Sequence, residues 1–249
     1  LHRTVLRRAR LVYTNLSRAR VEESLFTQAD LQGAVLDHTA LIRCDLREVD
    51  LSQSRLEHTR FTGSRLIAAR LVDADLGRSD FTQADLRRAD LSTARGTETV
   101  FTQADLSGTR LLRTRLQAAN LEGASAQGAD LRHADLHEAE LTGANLADAH
   151  LAGADLSGAM AERASFVRAD LSRANLSGIN LRDAVLRRVR APEARFGEAD
   201  LQGASLVEAD LSGADFNAAR LAGADFRRVR GIASARGLDQ ARDAEKARF

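Results

Sequence analysis

Every fifth residue of this chain is large and apolar, and the residue two places before it is small. The large positions run Leu1, Leu6, Leu11, Leu16, Val21, Phe26 and onward to Phe226 without a change of phase. Of these 46 centres, 42 are Leu, Phe or Val, the exceptions being Gly96, Ala126, Ala161 and Ala191. In the second register, Thr4 to Val229, 42 of 46 positions are Ala, Ser, Thr or Cys. The beat is clearest in Gly128–Met160. A period of five fits neither common element. On an α-helix each step of five drifts the side chain by roughly 140°, so no buried stripe forms. In a straight strand an odd period sends successive centres to opposite faces. A chain that turns a corner after every pentapeptide keeps every centre pointing inward. Twelve of the seventeen glycines lie two after a centre, as at Gly33 and Gly153, where a type II turn needs positive φ.

The recurring AlaAspLeu at 29–31, 84–86, 104–106, 129–131, 134–136, 154–156, 169–171, 199–201 and 209–211, with AlaAsnLeu at 119–121, 144–146 and 174–176, resembles the A(D/N)LXX signature of the pentapeptide-repeat proteins. That resemblance covers residues 1–230. It implies an all-β solenoid: a right-handed quadrilateral β-helix with four pentapeptides per coil. The sequence itself supports a 20-residue coil in part. FTQADL at 81–86 recurs at 101–106, and Phe61, Phe81 and Phe101 lie 20 apart, whereas the copy at 26–31 is 55 residues before 81. Adopting that coil gives about 11 coils and a rod roughly 55 Å long. The unbroken phase predicts no looped insertion. The core is expected to thin at the four small centres, and residues 95–100 and Pro192 are expected to depart from regular coiling.

Both ends of such a rod need covers. Residues 231–249 leave the pentapeptide pattern and form a second unit, a C-terminal capping tail. It is expected to be a short helix from about Leu238, with Ile232 and Leu238 over the last coil and Phe249 as a further cap or dimer contact. In several members of the family such an element makes the dimer contact, so a homodimer through one end of the rod is one expectation. The chain enters the repeat at residue 1 without a Met, and an upstream segment, removed or part of a longer protein, is expected to cover Val5, Tyr13 and Leu25.

Composition narrows the chemistry. The chain carries 36 basic and 35 acidic residues, a net charge of +1, so no long-range field of one sign is expected. Lys246 is the only lysine; codon usage in a GC-rich bacterial genome is the expected cause, and bidentate pairing of arginine to carboxylates or phosphates is the functional alternative. The single Cys44 excludes an intrachain disulfide and a cysteine-based zinc site, and a reducing bacterial cytoplasm is the default setting. No run of 18 apolar residues occurs, so no membrane-spanning helix is expected. Neither GxxxxGK[ST] nor a GxGxxG following a strand is present. Acidic and hydroxyl side chains recur at identical spacing everywhere, without a convergent cluster, so no catalytic site, cofactor or metal is expected. His38 and His58, 20 apart, would stack at about 5 Å, but two solvated histidines are the plainer reading.

Charge columns say more. On one side the positions before the centres read Arg10, Asp30, Asp50, Arg70, Asp90, Arg110, Asp130, His150, Asp170, Arg190, Asp210 and Arg230, a ladder of mixed sign. Another side gathers Arg7, Arg8, Arg47, Arg87, Arg88, Arg187, Arg188, Arg227 and Arg228 in clusters too separated for a nucleic-acid track. The candidate partner contacts are Tyr13, Arg87, Arg88, Arg187, Arg188, Arg227 and Arg228. The favoured function is a non-enzymatic interaction module, a rigid rod presenting side-chain columns to another protein. The alternative comes from the resemblance: family members that mimic duplex DNA occupy DNA gyrase or topoisomerase IV and confer quinolone or toxin resistance. A length near 55 Å matches about 16 base pairs, but a net charge of +1 and acidic pairs as short as Asp85 with Asp105 oppose it.

Overall fold

The computed structural model describes residues 1–249 as one continuous coil. Parallel bridges join each residue before a centre to the residue 20 further on, from Val5↔Leu25 and Arg10↔Asp30 to Asp210↔Arg230. Four pentapeptides therefore complete one coil, and the 20-residue spacing holds along the whole repeat. The sides are so short that only two segments lengthen into strands, β1 (Arg20–Glu22) and β2 (Ala40–Ile42), paired in parallel.

The signature follows from where the five backbone N–H groups of a repeat go. In the repeat centred on Leu31, Leu31 N–H donates to Asp50 C=O of the next coil at 2.7 Å. Asp30 N–H donates to Ala9 C=O of the previous coil at 2.9 Å, and Gly33 N–H to Ser52 C=O at 2.9 Å. Ala34 N–H closes the corner on Leu31 C=O at 3.0 Å. Only Gln32 N–H remains, and the Asp30 carboxylate takes it at 3.2 Å. The same bond recurs as Ser52 to Asp50, Thr82 to Asp80 and Glu122 to Asn120. An Asp or Asn before the centre thus supplies the one acceptor that the ladder lacks. Early on the side that carries β1 and β2, Thr4 and Cys44 N–H donate instead to the hydroxyls of Ser24 and Ser64.

Inside, the centres and the small residues form one continuous core of 73 buried residues. Phe61, Phe81 and Phe101 stack in a column, with ring centroids 4.7 and 5.2 Å apart. At Gly96 the core does not thin as expected. A Cβ there would come within 2.6 Å of the Thr99 hydroxyl of the same pentapeptide and 2.9 Å of Leu116 Cδ2 of the next coil, so the space is already filled. Residues 95–100 and Pro192 do not depart from the coil either. Arg95↔Arg115, Val100↔Asn120, Arg190↔Asp210 and Arg195↔Asp215 keep register. Pro192 sits first of the two central residues of the Ala191–Ala194 turn, where its fixed φ is suited and no N–H is required.

All 46 corner residues two after a centre have positive φ, twelve of them glycine and the remainder not. For a residue with a Cβ that conformation costs roughly 1–2 kcal/mol, against an entropic cost for glycine of about 0.5–1 kcal/mol. Ala118 (φ 52°) has no side-chain hydrogen bond to lose. Ala118→Gly is therefore expected to raise stability by about 0.5–1 kcal/mol, read as a higher midpoint in urea; a lower midpoint would contradict the corner assignment.

After Arg230 the spacing changes. Asp215↔Arg236, Arg220↔Arg242 and Asp225↔Arg248 lie 21, 22 and 23 residues apart, so each side gains one residue. The tail is three hexapeptides, GIASAR, GLDQAR and DAEKAR, each opening on a left-handed residue: Gly231, Gly237 and Asp243. The two glycines pass close over the coil below, where a Cβ would come within 2.6 Å of Ser212 Cα and 2.7 Å of Asn217 Cα. The helix expected from Leu238 does not form; the tail holds two 3-10 turns, Ile232–Ser234 and Ala244–Lys246. An isolated helix this short is marginal, whereas Arg236, Arg242 and Arg248 N–H each reach a carbonyl of the last regular coil at 2.7–2.8 Å. Ile232 and Leu238 are half-buried against the core, and Phe249 stacks on Phe226 at 5.2 Å.

Candidate interaction surface

Because the coil repeats every 20 residues, outward side chains line up in columns about 4.8 Å apart. The mixed-sign ladder from Arg10 to Arg230 is bridged step by step along its length. Asp50 with Arg70 and Asp90 with Arg110 close to 3.5 and 3.8 Å. These pairs are exposed, and each contributes about 0–1 kcal/mol.

The arginine clusters are more self-satisfied than their sequence suggests. Where Asp precedes a centre and Arg follows it, the guanidinium forks back onto the carboxylate. Arg47 grips Asp45, Arg87 grips Asp85, Arg132 grips Asp130 and Arg227 grips Asp225, with closest approaches of 2.6 or 2.7 Å. Arg87 also reaches Asp105 at 3.6 Å. The guanidinium hydrogen bond holds all four carboxylates below the usual range, with burial acting against it. A depressed folded pKa means that this stabilisation is present above the unfolded carboxylate value and lost as pH falls through the folded one. The urea midpoint is accordingly expected to be flat from about pH 7 to 5 and to fall below about pH 4. A midpoint that rises on acidification would contradict these pairs.

Among the candidate contacts, Arg88 and Arg187 have no carboxylate within ion-pair distance, whereas Arg188 binds Glu208 at 2.6 Å and Arg228 reaches it only at 3.7 Å. Arg187, Arg227, Arg228 and Phe249 come together with Val207 and Glu208 around an open cleft of about 520 Å³. Phe249 is 62% exposed there. A smaller set, Arg7, Arg8, Thr27, Gln28 and Arg47, frames a similar cleft near the other end. Arg87 and Arg88 lie mid-rod and join neither. Tyr13 is 74% exposed and stands apart, its ring so close over Gly33 that a Cβ there would come within 2.3 Å of it. Val207 and Glu208 were not singled out in the sequence, although counting 20 from Arg187 and Arg188 places them in the gap. The Asp-Leu-Arg fork was the second overlooked signal.

His38 and His58 stack face to face at 4.8 Å, as their spacing implies, with Glu57 3.9 Å from His58. No three His, Cys, Asp or Glu side chains converge on a point that could hold a metal ion. No helix is long and apolar enough to cross a membrane.

Comparison with known proteins identifies the repeat. The pentapeptide-repeat family model matches with eight copies, over residues 24–63, 44–83, 74–113, 114–151, 149–188 and 194–230. Among solved structures, HetL, a pentapeptide repeat protein involved in heterocyst differentiation regulation in Nostoc sp. strain PCC 7120, is 31% identical. That match covers 90% of this chain and 89% of HetL, with a TM-score of 0.40. A thylakoid-lumen pentapeptide repeat protein of Arabidopsis thaliana is 29% identical over 44% of this chain and 69% of its own, with a TM-score of 0.30. Full-length QnrB1, a plasmid-mediated fluoroquinolone resistance protein, is 17% identical over 92% and 90% of the two chains, with a TM-score of 0.25. No protein of curated function is significantly similar. The chain belongs to the pentapeptide-repeat family, whose fold is the right-handed quadrilateral β-helix.

Proposed function

We propose that this chain is a non-enzymatic interaction module: a stiff rod of about eleven coils, closed at its C-terminal end by residues 231–249, that presents side-chain columns to a partner protein. The observation that carries this reading is the contrast along the surface. Along the rod the outward groups form repeated columns of mixed charge, and the cleft stands out by gathering Arg187 without a carboxylate partner, Arg228 with a distant one and the exposed Phe249 ring around one concavity. A reducing, cytoplasmic setting fits the single buried Cys44. The DNA-mimic reading has little to stand on. No bridged ladder carries more than two acidic residues in succession, and Arg87 lies across one such pair, Asp85 and Asp105.

A photo-crosslinking amino acid placed singly at Arg88, Gln127, Ala147, Arg187 and Val207 tests the module in the native cell. Adducts with one defined protein are expected at 187 and 207 and not at 127 or 147. Failure to obtain a defined adduct at any position would overturn the reading. Stoichiometric protein is expected to leave quinolone inhibition of gyrase supercoiling unchanged, and protection would restore the mimic.

A further inference from the structure

We infer that the C-terminal cleft binds an acidic segment of the partner, one that carries an aromatic or aliphatic residue between two carboxylates; the inference rests on the interaction-module reading above. Arg187, Val207 and Arg227 occupy one column on successive coils, and Arg188, Glu208 and Arg228 occupy the next corner. Val207 is short between two long side chains, and that difference in height opens the cleft of about 520 Å³. Its charges do not balance. Within ion-pair distance Arg188 and Arg228 share Glu208, Arg227 takes Asp225, and Arg187 reaches no carboxylate. Asp225 is taken by the Arg227 fork and Glu208 chiefly by Arg188. Both carboxylates are held in the charged form by those bonds, so they offset two of the four guanidinium charges and leave the rest uncompensated.

Arg187 is left without a partner and Arg228 with a distant one, two coils apart, or about 10 Å along the axis. Guanidinium groups take carboxylates in a bidentate fork. Between them Val207 offers an apolar floor and Phe249 an exposed ring held by its stack on Phe226. A segment such as Glu-x-Phe-x-Glu in extended form places all three side chains on one face, and the long arginine side chains span the difference in spacing. A polyphosphate strand fits less well. Below Arg187 the same column reads Val167, Ala147, Gln127 and Ser107, with no cation to continue a backbone track.

Fluorescence anisotropy of a labelled, terminally blocked Glu-Ser-Phe-Ser-Glu peptide against the full chain tests the assignment, with Gln-Ser-Phe-Ser-Gln and an oligothymidylate as comparison probes. The acidic peptide is expected to bind at least about tenfold tighter than the glutamine peptide. Arg187→Gln and Arg228→Gln should each lose about fivefold or more. Arg88→Gln, equally free of ion pairs but distant from the cleft, should change binding by less than about twofold. All three side chains lie outside the core, and an unchanged urea midpoint verifies that each variant folds. Equal affinity for the two peptides, or an equal loss in Arg88→Gln, would overturn the cleft. Tighter binding of the oligothymidylate would overturn it in favour of nucleic acid. Absence of peptide binding alongside a defined crosslinked partner elsewhere on the rod overturns the cleft alone and leaves the module reading standing.

Discussion

Phe81→Ala lowers the stability of the rod by about 3–5 kcal/mol, read from guanidinium unfolding. The ring is fully buried mid-rod and stacked between Phe61 at 4.7 Å and Phe101 at 5.2 Å. Its loss removes apolar burial, leaves a cavity and strips both neighbours of a stacking partner, the last worth about 0.5–1.5 kcal/mol per pair. In a solenoid each coil leans only on its neighbours, so the damage stays local at first. Hydrogen exchange should quicken most in the coils that contain residues 61–120 and least near residue 200. Phe249→Ala, which removes an exposed ring, serves as the control and is expected to cost less than about 1 kcal/mol. A loss that small at Phe81 would mean that the Phe column is not a packed core.

Gly96→Ala is the second large effect, and its sign separates sequence from structure. Judged from the repeat alone, a glycine at a centre leaves a hole that a larger residue would fill, so the substitution should stabilise. In the folded chain an added Cβ meets the Thr99 hydroxyl at 2.6 Å and Leu116 Cδ2 at 2.9 Å. The Thr99 hydroxyl is itself committed to Leu76 C=O at 2.9 Å, so it cannot swing away without orphaning a bond. The substitution is expected to destabilise by about 1–3 kcal/mol, as overpacking does. A higher urea midpoint for Gly96→Ala would show instead that the coil is hollow there.

What could be read from the residues divides along the repeat. The period of five excluded helix and straight strand, and the family signature supplied the four-sided coil that the backbone then displays from Val5 to Arg230. Position in the repeat decides burial because each corner returns the chain to the same orientation. Gly96 and Pro192 differ from their expectations because neither a small centre nor a proline disturbs the coil where the local geometry already accommodates it. Gly96 is closed by Thr99 of its own pentapeptide and Leu116 of the next coil, and Pro192 occupies a turn position that requires no N–H. The tail was misread for a different reason. Its charges suit a helix dipole, but GIASAR, GLDQAR and DAEKAR repeat every six residues, and that period extends the ladder by one widened turn.

The interaction surface was legible as residue types and only partly as a site. Arg187, Arg227, Arg228 and Phe249 were each singled out, yet their convergence depends on the 20-residue column and on the stacking of Phe249 on Phe226. Arg87 and Arg227 looked free in the sequence but are forked onto Asp85 and Asp225 two residues before them. Net charge gave no hint of the excess at the cleft, because an average over the chain hides a local imbalance.

The claim on which all of this depends is that one rigid 20-residue coil carries every outward column. It is tested most directly by the distance between spin labels at Ala68 and Arg188, each replaced by cysteine in a Cys44→Ser background. Both are corner residues of the same column, six coils apart. Pulsed electron paramagnetic resonance is expected to show a single narrow distribution centred at about 29 Å. A broad distribution, or a centre displaced by more than about one coil spacing of 4.8 Å, would contradict the rod and the columns built on it.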